Sequence, residues 1–223
     1  MGFAMAIDGP AGAGKSTIAK IVAEKLELNY IDTGAMYRAI AYYMYTNSVD
    51  TDDITAVENA CANINIEVEY TQQGQQMIIN KENITSHLRE EAVGKLASKV
   101  AKLALVRSKL VNFQRQLAAS SRIVMDGRDI GTCVLPDAQL KIYLTASVEV
   151  RAKRRYDELV SKNETCDYEI VKKDIADRDY EDMHRDISPL KQADDAILLD
   201  TSDMNINEVA DNIIRLYEER ING

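Results

Sequence analysis

At 223 residues and 46% hydrophobic content the chain is long enough to bury a substantial core, as one large domain or a domain with an insert. Its formal net charge of −9 excludes a general affinity for nucleic acid polymers, so any anion has to be met by a local concentration of Lys and Arg. No run approaches the roughly 18 apolar residues of a membrane span. The N-terminus lacks the charged-then-apolar pattern of a secretory signal, and Ala6 stands where a myristoylation motif needs Ser or Thr; a cytoplasmic protein without membrane contact is expected. Cys61, Cys133 and Cys166 are scattered and odd in number, which predicts reduced, mostly buried thiols rather than a metal site.

Taken in order, Phe3 to Asp8 (FAMAID) reads as a strand ending at a glycine turn, and KSTIAKIVAEKLEL places Ile18, Ile21, Val22 and Leu26 on one helical face. LNYID follows as a second strand, and TGAMYRAIAYYMYT as a helix with Thr33 near its N-cap. Between Ile64 and Thr85 apolar residues alternate on either side of a Gln/Gly turn, the pattern of an antiparallel hairpin; it forms the core of an insert over 64–119. Ile123 to Asp126, Leu140 to Leu144 and Ala196 to Asp200 are further strand-length apolar runs separated by helical stretches. That alternation predicts an α/β fold in three layers, a central parallel sheet with helices on both faces, built from 1–63 and 120–223. The last helix starts with Asn205 as N-cap and Glu208 three residues on, and its buried stripe is Ile206, Val209, Ile213 and Leu216.

Gly9-Pro10-Ala11-Gly12-Ala13-Gly14-Lys15-Ser16 fits G-x-x-x-x-G-K-[ST], followed by Thr17, and sits between a strand and a helix. In such a loop glycines let successive N–H groups point at phosphate oxygens, the helix N-terminus adds positive potential, Lys15 reaches the β and γ phosphates, and Ser16 offers a hydroxyl to Mg²⁺. A GTP-dependent switch would need a guanine-reading N-K-x-D. The nearest match, NKEN at Asn80 to Asn83, lacks the carboxylate and falls inside the hairpin.

A kinase of a small acceptor needs a second group of positive charge. Arg38 lies one helical turn after a glycine, and Arg128 follows a strand end, beyond the carboxyl ends of the strands, where α/β sheets bind ligands. Each also has a plainer reading, Arg38 as a surface helix residue and Arg128 as an ion-pair partner of Asp129. RAKRR sets Arg151, Arg154 and Arg155 at i, i+3, i+4, either a solvated basic face or a surface turned to a triphosphate. Arg178, Asp182 and Arg185 fall at i, i+4, i+7 on one helical face, which also suits a salt-bridge ladder. Asp126 leaves two readings, a partner behind the Mg²⁺ site or a cap for the turn after it.

The segments IDGPAGAGKST, YIDTGAMYRAIA, ASKVAKLALVR, VMDGRDIGT, KIYLTASVEVRAKRR and RDISPLKQADDAILLDTS, in this order, resemble the bacterial cytidylate kinases over essentially the full chain. The resemblance implies the nucleoside monophosphate kinase fold, with an enlarged monophosphate-binding insert and a mobile lid over about 151–186. It implies ATP and Mg²⁺ as donor and metal, and CMP or dCMP as acceptor. Arg38 and Arg128 would hold the acceptor phosphate; Thr33, Ser98, Arg107, Asp129 and Arg185 would surround cytosine; Arg178 and Asp182 would lie near the sugar. Lys15, Arg128 and the lid arginines Arg151, Arg154 and Arg155 would neutralise charge on the transferring group. Ser16 and Thr33 depart from residues common in that family, and both differences keep or add a hydroxyl. A kinase of the same fold acting on UMP, AMP or shikimate is the alternative. Neither His87 nor His184 sits in an acid–base arrangement, as expected where the attacking group is an ionised phosphate. A monomer is expected.

Overall fold

The computed structural model describes residues 2–71 and 74–222. The strands are β1 (Ala4–Asp8), β2 (Asn29–Asp32), β3 (Ile66–Thr71), β4 (Gly74–Ile79), β5 (Glu82–Asn83), β6 (Ile123–Gly127), β7 (Leu140–Thr145) and β8 (Ile197–Asp200). The helices are α1 (Lys15–Leu26), α2 (Thr33–Thr46), α3 (Ile54–Asn63), α4 (Glu91–Val100), α5 (Ala104–Ser120), α6 (Val148–Ser161), α7 (Tyr168–His184) and α8 (Ile206–Asn222). A 3₁₀ turn covers Thr85–Arg89 and a π-helical turn Ile130–Val134.

Five strands form the main sheet in the order β2-β6-β1-β7-β8, and β1 pairs in parallel with both β6 and β7, as β7 does with β8. The predicted α/β architecture is therefore present. Burial on both sheet faces explains why these strands read as continuous apolar runs: Met5 and Ile7 on one side and Ala6 and Met125 on the other have no exposure. The first face is packed by α1 and α8, whose Ile18, Val22, Val209 and Ile213 join Met5, Ile7, Val124 and Ile142 in one cluster. Register places Asp8 opposite Gly127 on one side and Tyr143 on the other, so the loops after β1 and β6 leave the same sheet edge side by side.

The chain divides into two compact units, Met1–Tyr30 with Ser120–Gly223, and Ile31–Ala119. The second begins at Ile31 and not at 64, because α2 packs on α4 and β4 and so belongs with the hairpin. In that unit β3 and β4 form the expected antiparallel pair, with β5 added to β4; the turn residues Gln72 and Gln73 lie outside the described residues. In the first unit α6 and α7 pack on each other through Ala152, Val171 and Ile175, joined by Leu159 and Tyr168.

Local capping agrees with the sequence at one end of the chain and differs at the other. Asn205 Oδ1 accepts the N–H groups of Asn207 and Glu208 while Glu208 returns a bond to the Asn205 N–H, the reciprocal cap expected there. Ile206 is exposed, however, and Tyr217 joins Val209 and Ile213 in the buried stripe. Helix α2 is capped by Asp32, whose carboxylate accepts the Ala35 N–H; Thr33 is the first helical residue. All three cysteines are free and only partly buried, so burial was overestimated for them. No described helix is long and apolar enough to cross a membrane.

Candidate active site

The phosphate loop leaves β1 through Gly9 with φ near +148°, and a Cβ there would fall 1.9 Å from the Leu144 carbonyl oxygen of β7. Only glycine fits that approach. The loop ends on Gly14, left-handed at φ +86°, which starts α1 without any side-chain cap on the helix's first N–H groups. Lys15 is buried and its Nζ donates to the Gly9 and Pro10 carbonyls, both at 2.7 Å. Burial, and next the charge of Arg128, hold its pKa well below the ordinary lysine value. Both effects favour an anion beside these two cations.

Ser16, at the start of α1, meets Asp126 in β6. The Ser16 hydroxyl donates to Asp126 Oδ2 at 2.8 Å, and the Tyr30 hydroxyl donates to Oδ1 at 2.8 Å. A hydroxyl backed by a carboxylate is a hard oxygen set suited to Mg²⁺, which takes one or two protein oxygens and completes its shell with phosphate and water. No group of three or more His, Cys, Asp or Glu able to hold a metal occurs among the described residues.

Beside the loop, the turn after β6 carries Arg128 and Asp129. Arg128 Nε donates to Asp182 Oδ2 at 2.7 Å. Arg185 lies just past the end of α7, with extended backbone, so it is not the continuation of the helical face that its spacing predicted. Its side chain still reaches both acids, Asp129 at 3.5 Å and Asp182 at 4.0 Å, and donates to the Ser188 carbonyl. Burial opposes ionisation of Asp182, yet Arg128, Arg178 and Arg185 outweigh it and hold its carboxyl below the usual range. Arg178 itself is exposed on α7. The first unit thus brings Arg128, Asp129, Asp182 and Arg185 into one network next to Lys15.

The second unit holds the remaining candidates. Arg38 donates to Asp32 through one guanidinium nitrogen at 3.2 Å and 3.4 Å, while its buried Nε has no hydrogen-bond partner. Arg107 is buried on α5, lies over the Tyr37 ring at 5.7 Å and donates to the Ala101 carbonyl. Thr33 is buried at the start of α2, and Ser98 half-buried on α4.

The three α6 arginines part company. Arg151 is buried; it pairs with Asp179 at 2.5 Å and donates to the Ala11 and Ala146 carbonyls. Arg154 donates to Thr201 through both its hydroxyl and carbonyl, and Arg155 pairs with Glu158 at the surface. Asp179 is a buried acid at the loop that the motifs did not single out. It also accepts the Ala11 N–H at 3.0 Å, so a carboxylate from α7 and a guanidinium from α6 hold the two peptide units that flank Ala11. The signal was present as a carboxylate in the buried series Val171, Ile175, Asp179, at i, i+4, i+8. Both histidines bond elsewhere, His87 to Glu90 and His184 to the Tyr180 carbonyl.

A loop shaped for a polyphosphate at the strand ends of a mostly parallel sheet, with Arg128 just past the adjoining strand and Arg185 linked to it through Asp182, defines the class: a P-loop kinase. A family model described as cytidylate kinase matches residues 5–219. Curated relatives named cytidylate kinase include those of a Geobacillus species, 49% identical, covering 97% of each chain, and of Leuconostoc mesenteroides, 48% identical, covering 98% of each. The chain belongs to the cytidylate kinase family. The fold recurs in solved structures at low identity. A Eubacterium ventriosum protein has a TM-score of 0.55 at 14% identity, over 97% of this chain and 98% of that one. One from Thermus thermophilus has 0.52 at 11% identity, over 100% and 99%.

Proposed function

We propose that the protein transfers the γ-phosphoryl group of ATP to the 5′-phosphate of CMP and dCMP, giving ADP with CDP or dCDP. The observation that carries the reading is the Arg128–Asp129–Asp182–Arg185 network beside Lys15, in a chain that matches the cytidylate kinase family over nearly its whole length. ATP lays its phosphates in the Gly9–Thr17 loop, against the N–H groups that lead into α1, and Lys15 exchanges its carbonyl partners for phosphate oxygens. Ser16, backed by Asp126, would hold Mg²⁺, which would supply charge neutralisation to the donor.

Arg128 and Arg38 bind the acceptor phosphate, and Thr33, Ser98, Arg107, Asp129 and Arg185 recognise cytosine, with Arg178 and Asp182 at the sugar. Cytosine offers an amino donor at C4 and acceptors at N3 and O2, so carboxylate and guanidinium groups suit it; uracil reverses two of these and leaves them mispaired. Each mispaired buried group costs about 1–3 kcal/mol, enough for a marked preference. No general base is required, because the nucleophile is already an ionised phosphate oxygen, and catalysis rests on positioning and electrostatics. Arg151, Arg154 and Arg155 serve in a lid over about 151–186 that excludes water on closure. The protein works as a monomer in the cytoplasm.

A coupled ADP-release assay with ATP·Mg²⁺ and a panel of CMP, dCMP, UMP, AMP and shikimate tests the proposal. CMP and dCMP are expected to give the fastest release. No release above the buffer rate with CMP would defeat it.

A further inference from the structure

Asp8 is the last residue of β1, immediately before the phosphate loop, and it is 5% exposed. Its two carboxylate oxygens are spent on two backbone donors far along the chain: Oδ1 accepts the Ile130 N–H at 2.8 Å and Oδ2 the Gly131 N–H at 2.7 Å. Those are the first N–H groups of the π-helical turn Ile130–Val134. Such groups are ordinarily satisfied by the residue at the turn's own N-cap. Here that residue is Asp129, and its side chain makes no cap bond. Asp129 turns instead to Arg185, in a backbone conformation of φ −145° and ψ 27°.

We infer that Asp8 is a positioning residue for the acceptor: it takes over the capping of the Ile130–Val134 turn so that Asp129 is released to face the cytosine base, and it fixes Arg128 and Asp129 to the strand that carries the donor loop. An Asp129 side chain folded back onto the turn's N–H groups would point away from Arg185, so capping and facing that guanidinium call for two different side-chain directions. With Asp129 turned to Arg185, the turn's N–H groups are met from outside by Asp8, on the strand that pairs with β6. Geometry leaves little slack: a Cβ at Gly131 would come 3.4 Å from Asp8 Oδ2 and 3.1 Å from the Lys141 side chain, so the turn is seated directly on the carboxylate. The other charges acting on Asp8 are those of Asp129 and Lys15.

This inference rests on the proposed cytidylate kinase activity for the role of Asp129, and its test separates the two. Amide exchange on the wild-type protein needs no variant: the Ile130 and Gly131 amides are expected to be as protected as those of β6, and exchange at the rate of an exposed loop overturns the cap. In steady-state kinetics, Asp8→Asn keeps one acceptor oxygen and nearly the same volume. It is expected to raise KM for CMP about tenfold and to lower the CMP-to-UMP preference several-fold, with KM for ATP changed less than about twofold. An equal rise in both KM values, or an unchanged base preference, overturns the positioning role. Should wild-type protein show no turnover of CMP, the activity assignment fails, while the exchange measurement still decides whether Asp8 caps the turn.

Discussion

The phosphate loop and helix α6 were both singled out by clustered, chemistry-bearing residues, and they behave differently. In the loop, function is written into the backbone: Gly9 is demanded by the Leu144 carbonyl, and Lys15 folds back over the loop's own carbonyls. On α6, three arginines at i, i+3, i+4 have three unrelated partners, a buried acid, a strand-end threonine and a surface glutamate. Helical spacing decides the direction of a side chain, but its role follows from what other elements put opposite it. A backbone motif carries its own context; a cluster of arginines does not.

The comparison breaks most sharply at the two cations that act on each other, Lys15 and Arg128. Lys15→Met is expected to lower kcat by about a thousandfold or more, the scale of losing a preorganised charge at the transferring group. Arg128→Ala is expected to lower kcat/KM for CMP by about a hundredfold or more while ATP affinity, measured calorimetrically, stays within about threefold. Parallel loss of ATP affinity in both variants would erase the distinction between donor and acceptor cations in this unit.

Next in size is the clasp between α6, α7 and the loop. Asp179→Ala strands the buried Arg151 guanidinium, and breaking a buried pair from one side costs about 3–5 kcal/mol. Urea unfolding should show that loss, and Arg151→Met combined with Asp179→Leu should recover most of it, because apolar replacement of a buried pair is often neutral. If the double variant were as unstable as the single one, the clasp would owe its value to the Ala11 peptide bonds and not to the ion pair.

Much of this was legible. The strands of the main sheet, the loop and the final cap follow from local pattern, because continuous apolar runs, a glycine-lysine-serine sequence and an Asn–Glu cap each act within a few residues. The unit boundary was not, since α2 looks like any helix after a strand until its packing on α4 and β4 is known. Nor was the fate of Arg185, whose spacing continues a helix that the chain in fact leaves at His184. Asp8 and Asp179 escaped for one physical reason: each is an acid whose partners lie more than 25 residues away in the chain, 122 and 123 for Asp8 and 28 and 168 for Asp179. No window of sequence holds both ends of such a bond.

Those two buried acids have different partners, and a pH series tests Asp8. Asp179 faces a guanidinium, whereas Asp8 is met mainly by neutral N–H groups, and burial pushes its carboxyl up from 3.8 to about 6 in spite of the Gly131 and Ile130 bonds. The folded chain then holds the Asp8 proton more tightly than the unfolded chain does. Stability from this group is therefore highest below 3.8, falls as pH rises, and reaches its full penalty above about 6. A rise of that size is worth about 3 kcal/mol in all, about half of it between about pH 5 and 8. Asp8→Asn removes the ionisation, so its stability relative to wild type should improve by about 1–2 kcal/mol over that interval in melts at fixed ionic strength, even as acceptor affinity declines. A constant difference across the interval would mean that the Asp8 charge is compensated in the fold, and that its two N–H bonds, with Lys15 nearby, suffice to hold it ionised without penalty.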